Sequence, residues 1–377
     1  MRRLAIVVAL LALAACSKDK EVNPPAELVD FNQTLAVERV WSAGVGGGDP
    51  KLRLGLGVTV VEQQVFAAGH GGEVIAVALD TGRTLWQVKT KARLTGGTGA
   101  DAALVAVGTG GGEVIALSAV DGRQLWRIAV RGEVLSAPLV TPAAVVVRTV
   151  DGRLVALARD DGHELWNVEQ QIPRLTLRGA AAPQFSGDTV VCGFDNGKVV
   201  ATSLRDGTVM WETAVAPPRG RTELERLSDI DGSVRIAGED IYAVGFQGRV
   251  AMLALASGQI WWSRDLSSYR GLALDDENVY VSSSEGDVLS MQRRTGAEGW
   301  RQSTLAYRGL SAPAAIGAHV AVGDFEGYVH FLDKANGEIV ARVKAGGARI
   351  STPPVVAGDM LVVIDDDGRM SALRPRT

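Results

Sequence analysis

The chain has 377 residues, of which 46% are hydrophobic and 22% charged, with 45 glycines, a balance that excludes a disordered polymer and suits a globular fold rich in tight turns. Its formal net charge of −4 falls to about −6 when Arg2 and Arg3 leave with a leader, and no basic patch offsets it. Nucleic acid and anionic lipid headgroups are thereby disfavoured as partners.

In chain order, Met1-Arg2-Arg3 is a short basic segment and Leu4 to Ala15 an apolar run too short to span a bilayer, which together predict a signal peptide over residues 1–15. Its end, Leu13-Ala14-Ala15-Cys16, resembles the bacterial lipobox. That resemblance implies a lipidated Cys16 at the mature N-terminus. Ser17, where an Asp would retain the protein in the inner membrane, implies transport to the outer membrane with the body facing the periplasm. Residues 16–37 are polar, carry Pro24-Pro25 and lack periodicity, so a flexible tether is expected there. Cys192 is the one other cysteine, so no intramolecular disulfide can form, and its apolar run Thr189-Val190-Val191-Cys192 predicts a buried thiol.

From residue 38 to 377 the chain repeats itself. A Gly followed four residues later by Trp recurs at Gly82 to Trp86, Gly122 to Trp126, Gly162 to Trp166, Gly207 to Trp211, Gly258 to Trp262 and Gly296 to Trp300, while Gly337 to Ala341 keeps the spacing and loses the ring. The Trp-to-Trp spacings of 40, 40, 45, 51 and 38 residues match a four-stranded propeller blade. Pairs such as Asp151-Gly152, Asn196-Gly197 and Asp367-Gly368 supply the turns of hairpins between short β-rich runs. An earlier strand carrying Ser136-Ala137-Pro138, or Ser351-Thr352-Pro353, tolerates proline as the innermost of its blade.

Strand-turn-strand cores begin near Val65, Leu104, Val145, Thr189, Ile241, Val279, Val320 and Leu361, which makes eight units. The last lacks its Trp strand, and Val40-Trp41 is a Trp strand without a blade. The predicted fold is therefore all-β: an eight-bladed propeller of four antiparallel strands per blade, closed by the N-terminal strand, with no open edge. Trp41, Trp86, Trp126, Trp166, Trp211, Trp262 and Trp300 are expected to dock blade against blade, and Trp261 lies off this register.

The Gly-x-x-x-Trp repeat, with Ala-Leu before the turn as at Ala116-Leu117 and Ala156-Leu157, resembles the tryptophan-docking repeat of the quinoprotein propellers. One branch comprises pyrroloquinoline-quinone-dependent dehydrogenases. The other is the BamB family of lipoproteins in the outer-membrane β-barrel assembly complex, which the lipobox, length and ring closure resemble. Leu175-Thr176-Leu177-Arg178-Gly179 and Leu227-Ser228-Asp229-Ile230-Asp231 are similar to the segments through which that family contacts BamA. The resemblance implies a non-enzymatic scaffold that assists β-barrel insertion, with BamA and other subunits of the complex as partners, unfolded outer-membrane proteins as a further candidate partner, and no cofactor.

A dehydrogenase of this fold is expected to carry an adjacent Cys-Cys pair, which Cys16 and Cys192 cannot form, and the chain is short for one. His70, His163, His319 and His330 lack the spacing of a local metal site, and the Asp residues sit in turns as at Asp121 and Asp161. Gly108-Thr109-Gly110 begins like a dinucleotide fingerprint but has Glu113 where the third Gly belongs, and no nucleophile elbow or zinc motif is present. No catalytic or metal-ligating residue is expected. The second reading, an exported quinoprotein-like dehydrogenase that has lost its disulfide, would be told apart by retention of quinone and calcium in an absorbance scan.

The two BamA-like segments join the third repeat to the fourth and the fourth to the fifth, so both should lie on one face as neighbours. Leu175 and Leu177 would offer an apolar anchor, and Arg178, Asp229 and Asp231 a polar rim. In the bland alternative the leucines fill the inter-blade core and the charges solvate a long loop.

Overall fold

The computed structural model describes residues 23–46, 54–179, 181–218 and 220–376. Every regular element among them is a β-strand, and the strands form eight four-stranded sheets. Blades 1 to 7 span residues 59–89, 99–129, 139–169, 184–214, 235–265, 272–302 and 314–344. Blade 8 combines Val355–Ala357, Met360–Ile364 and Arg369–Arg376 with the N-terminal strand Ala36–Gly44. First strands of neighbouring blades touch at the other junctions, including blade 8 against blade 1, and a shared apolar core joins blade 3 to blade 4, so the propeller is closed.

Burial explains the sequence pattern. The second strand of blade 2, Leu104–Gly108, is buried at all five positions because both sheet faces are covered by neighbouring blades. Its fourth strand, Gln124–Ala129, alternates at the rim and buries only Trp126. Short unbroken apolar runs followed by alternating ones are thus the two middle strands and the outer strand of one blade.

The docking tryptophans join the blades in one direction. Indole N–H groups of Trp41, Trp86, Trp126, Trp166, Trp211, Trp262 and Trp300 donate to the carbonyls of Leu79, Ala119, Arg159, Leu204, Leu255, Arg293 and Lys334 in the next blade, at 2.6 to 2.9 Å. Each indole also covers the glycine of the next blade's repeat, where a Cβ would lie 2.4 to 2.9 Å from the ring. The Gly of each motif therefore receives the preceding blade's Trp, while its own Trp docks onward. This accounts for blade 7, where Gly337 is kept for Trp300 although Ala341 has no ring to pass on.

Blade 7 compensates for the missing ring across the strand pair. In most other blades a small residue faces the Trp, as Ala76 faces Trp86 and Ala372 faces Trp41. Phe331 faces Ala341 instead, fully buried, so aromatic volume is retained on the opposite strand. Leu35 and Leu373 complete the core between blades 7 and 8.

The signal peptide and Cys16 lie outside the described residues. Residues 26–35, expected as part of a flexible tether, instead dock along the propeller. The Ala26 N–H donates to Ala306 O at 2.9 Å, Thr34 and Leu35 donate to Val340 O, and Arg342 donates to Val29 O at 3.0 Å. Arg308 donates to Ala26 O at 2.8 Å and is itself fixed by buried Asp324, which also meets His330. Leu28 and Leu35 bury apolar surface there, and tertiary packing of this kind leaves no periodic trace in sequence.

Candidate functional site

In an antiparallel four-stranded blade the turn between strands two and three and the exit of strand four lie at the same end. The connection from blade 3 to blade 4, residues 170–183, and the one from blade 4 to blade 5, residues 215–234, therefore share a face. They touch: the Leu177 N–H donates to Oδ2 of Asp229, and a Cβ built on Gly179 would stand 1.5 Å from Oδ1 of Asp231.

Within the first connection, Leu175 and Leu177 are each 42% exposed. They do not fill the inter-blade core. Arg178 holds a positive φ of 57°, its N–H donating to Thr176 Oγ1 at 3.0 Å, and its half-exposed guanidinium pairs with Glu133 in the connection from blade 2 to blade 3. A non-glycine residue in that conformation has to be held there by its surroundings. The bonds to Thr176 and Glu133 do so.

Asp229 and Asp231 are not an exposed rim, which corrects the expectation drawn from sequence. Asp229 is fully buried, as are Ser228 and Ile230, and Asp231 is largely enclosed. Ile230 is drawn inward against Gly193, where a Cβ would meet it at 2.4 Å, and its N–H donates to Phe194 O. That insertion carries the flanking aspartates under the first connection. A turn from apolar to polar residues in sequence could not distinguish this from a solvated loop.

Beneath the two connections lies a buried charge cluster that sequence reasoning missed. Arg148, at the end of the second strand of blade 3, pairs with Asp195 at 2.5 Å and donates to Gly179 O at 3.1 Å. One oxygen each of Asp195, Asp229 and Asp231 come within 4.8 Å of one another. Burial pushes the Asp229 carboxyl up to about 6, against the lowering effect of the Leu177 N–H. Burial, with the charges of Asp229 and Asp195, holds Asp231 well above the usual carboxylate range. The arrangement is a buried clamp whose visible product is a loop presenting two leucines to solvent.

The second connection adds Leu224, 66% exposed, and Trp261 on the outer strand of blade 5 is 57% exposed. Cys192 is fully buried, and burial pushes its thiol up to about 12.

A closed eight-bladed ring held by tryptophan docking, with a hydrogen-bonded loop presenting apolar side chains on its connection face, defines a tryptophan-docking β-propeller. The family model for outer membrane protein assembly factor BamB matches residues 70–302 and 284–377. A Pseudomonas aeruginosa protein named outer membrane protein assembly factor BamB is 45% identical over 98% of this chain and 97% of its own length. The crystal structure of BamB from Moraxella catarrhalis superposes with a TM-score of 0.83 at 29% identity, covering 90% of this chain and all of that one. The chain belongs to the BamB family of outer membrane protein assembly factors. Quinohemoprotein alcohol dehydrogenase from Comamonas testosteroni shares the propeller at a TM-score of 0.70 but only 12% identity over 91% of this chain and 78% of its own, a likeness of fold alone. Relatives from Bordetella pertussis and Alkalilimnicola ehrlichii, 37% and 43% identical over 98% and 99% of this chain, carry the same name, outer membrane protein assembly factor BamB.

Proposed function

We propose that this chain is a non-enzymatic scaffold of the outer-membrane β-barrel assembly complex, anchored by a lipid on Cys16 after removal of residues 1–15, and that it binds BamA through the connection from blade 3 to blade 4. The observation that carries the reading is the exposure of Leu175 and Leu177 on a loop whose backbone is fixed from below by Asp229 and Arg148. Apolar side chains held rigidly in solvent cost little further entropy on docking, and burying them in a partner supplies binding energy. Arg178 stands beside them as a charged edge. Asp229 and Asp231 act by positioning the loop.

The test is capture of BamA from detergent-solubilised outer membranes by the tagged full-length chain. Leu175→Ala with Leu177→Ala should weaken capture by about 2 kcal/mol or more in affinity while leaving thermal unfolding nearly unchanged. Native BamA affinity in the folded double variant refutes the site.

A further inference from the structure

The cluster formed by Asp195, Asp229 and Asp231 sets three carboxylates against two nearby guanidiniums, those of Arg148 and Arg270. Arg148 pairs with Asp195 through one oxygen, which leaves two carboxylates without a cationic partner at hydrogen-bond distance. Asp195 and Asp229 are both fully buried, and Oδ2 of Asp195, Oδ1 of Asp229 and Oδ1 of Asp231 are closed off from solvent with no hydrogen-bond partner. Buried oxygens of this kind are costly unless something supplies the missing interaction. The neighbouring Ser228 Oγ is buried and unpartnered as well.

The geometry points to a divalent-cation site, of calcium class, formed by the carboxylates of Asp195, Asp229 and Asp231. Calcium takes oxygen ligands at about 2.3–2.6 Å, so two of its ligands are separated by at most about 5 Å. One oxygen from each carboxylate, all within 4.8 Å of one another, meets that limit, Asp195 from the turn between the middle strands of blade 4 and Asp229 with Asp231 from the connection to blade 5. A dication would compensate the carboxylate charge that Arg148 and Arg270 leave over and occupy the vacant lone pairs. Calcium suits the site better than magnesium because it tolerates irregular coordination and bidentate carboxylates, and three side chains drawn from two loops do not impose an octahedron. Because Asp229 also accepts from Leu177, and Asp231 underlies Gly179, an ion there would brace the leucine-bearing loop.

This site is a property of the isolated chain and stands or falls apart from BamA binding. The experiment is calorimetric titration of calcium chloride into the full mature chain stripped with EDTA, with thermal unfolding measured in parallel. One saturable site is expected, with a dissociation constant on the order of 10⁻⁴–10⁻³ M or tighter, as for extracellular calcium modules, together with a rise in melting temperature. Asp195→Asn and Asp231→Asn, which preserve volume, should each weaken binding about tenfold or more, as expected when one of few carboxylate ligands is lost. Absence of both heat and thermal shift in the native chain overturns the proposal, as does undiminished calcium binding in the folded variants. If Asp231→Asn stabilises the chain and calcium leaves the native protein unchanged, the charge is neutralised by protons and the site is refuted.

Discussion

Gly179 and Asp231 stand so close that a Cβ on the glycine would lie 1.5 Å from Oδ1 and 2.9 Å from Cβ of the aspartate. The glycine is there because two connections cross without space for a side chain, and its mutation tests how far loop position matters. Gly179→Ala should displace the loop bearing Leu175 and Leu177 and reduce BamA affinity about tenfold, or about 1.4 kcal/mol, in a folded protein. Gly347→Ala, whose Cβ would meet nothing within 4 Å, serves as the neutral control. Equal affinities for the two variants would show that the crossing does not set the loop.

Ring closure is tested by two tryptophans of opposite environment. Trp41 is 7% exposed and docks blade 8 onto blade 1, whereas Trp261 is 57% exposed. Trp41→Ala should cost about 3–5 kcal/mol in denaturant unfolding, from lost burial and an unfilled cavity. Trp261→Ala should stay within about 0.5 kcal/mol. Equal costs would contradict the docking role of the N-terminal strand.

A similar contrast probes blade 7. Phe331→Ala removes the only large ring of the Phe331–Ala341 pair and should cost about 3–5 kcal/mol. The double variant Phe331→Ala with Ala341→Trp restores the arrangement of the other blades and should recover part of that loss, as read by the same unfolding curves. No recovery would mean that the space beyond Ala341, filled by Leu35 and Leu373, has no room for an indole.

The buried acids predict a pH dependence. Asp229 has its folded value raised to about 6. Its contribution to stability is present below the unfolded value of about 3.9 and is lost as pH rises through the folded value. Asp229→Asn keeps a carbonyl to accept from Leu177 and removes the titration. In EDTA, the stability of Asp229→Asn relative to the native chain should therefore increase as pH rises from about 4 to about 7, with Asp231 contributing to the apparent titration of the pair. A pH-independent difference would show that the cluster does not titrate on folding.

Cys192 should be inert. Its thiol is fully buried and pushed up to about 12, so the thiolate is scarce and inaccessible. Native protein carrying Cys16→Ala should show no reaction with a thiol reagent until denaturant is added, when one thiol per chain should titrate. Rapid labelling of the folded variant would contradict the burial.

What sequence alone determined is whatever repeats locally. Hairpin turns, unbroken apolar strands and the Gly-to-Trp spacing are imposed blade by blade, so eight units, the orphan strand at Trp41 and the shared face of the two connections were legible. The exposure of Leu175 and Leu177 was one of two readings left open, and the loop path decided it. Tertiary structure alone revealed that the Gly of each motif serves the preceding Trp, that Phe331 replaces a ring across its strand pair, and that residues 26–35 dock. It also overturned the exposed rim at Asp229 and Asp231. Those features depend on contacts between segments far apart in the chain, where Ile230 packing against Gly193 dictates that two aspartates turn inward to Arg148 and Asp195. A charged residue in a loop has the same sequence signature whether it faces water or a buried partner, and only the path of the neighbouring blade decides between them.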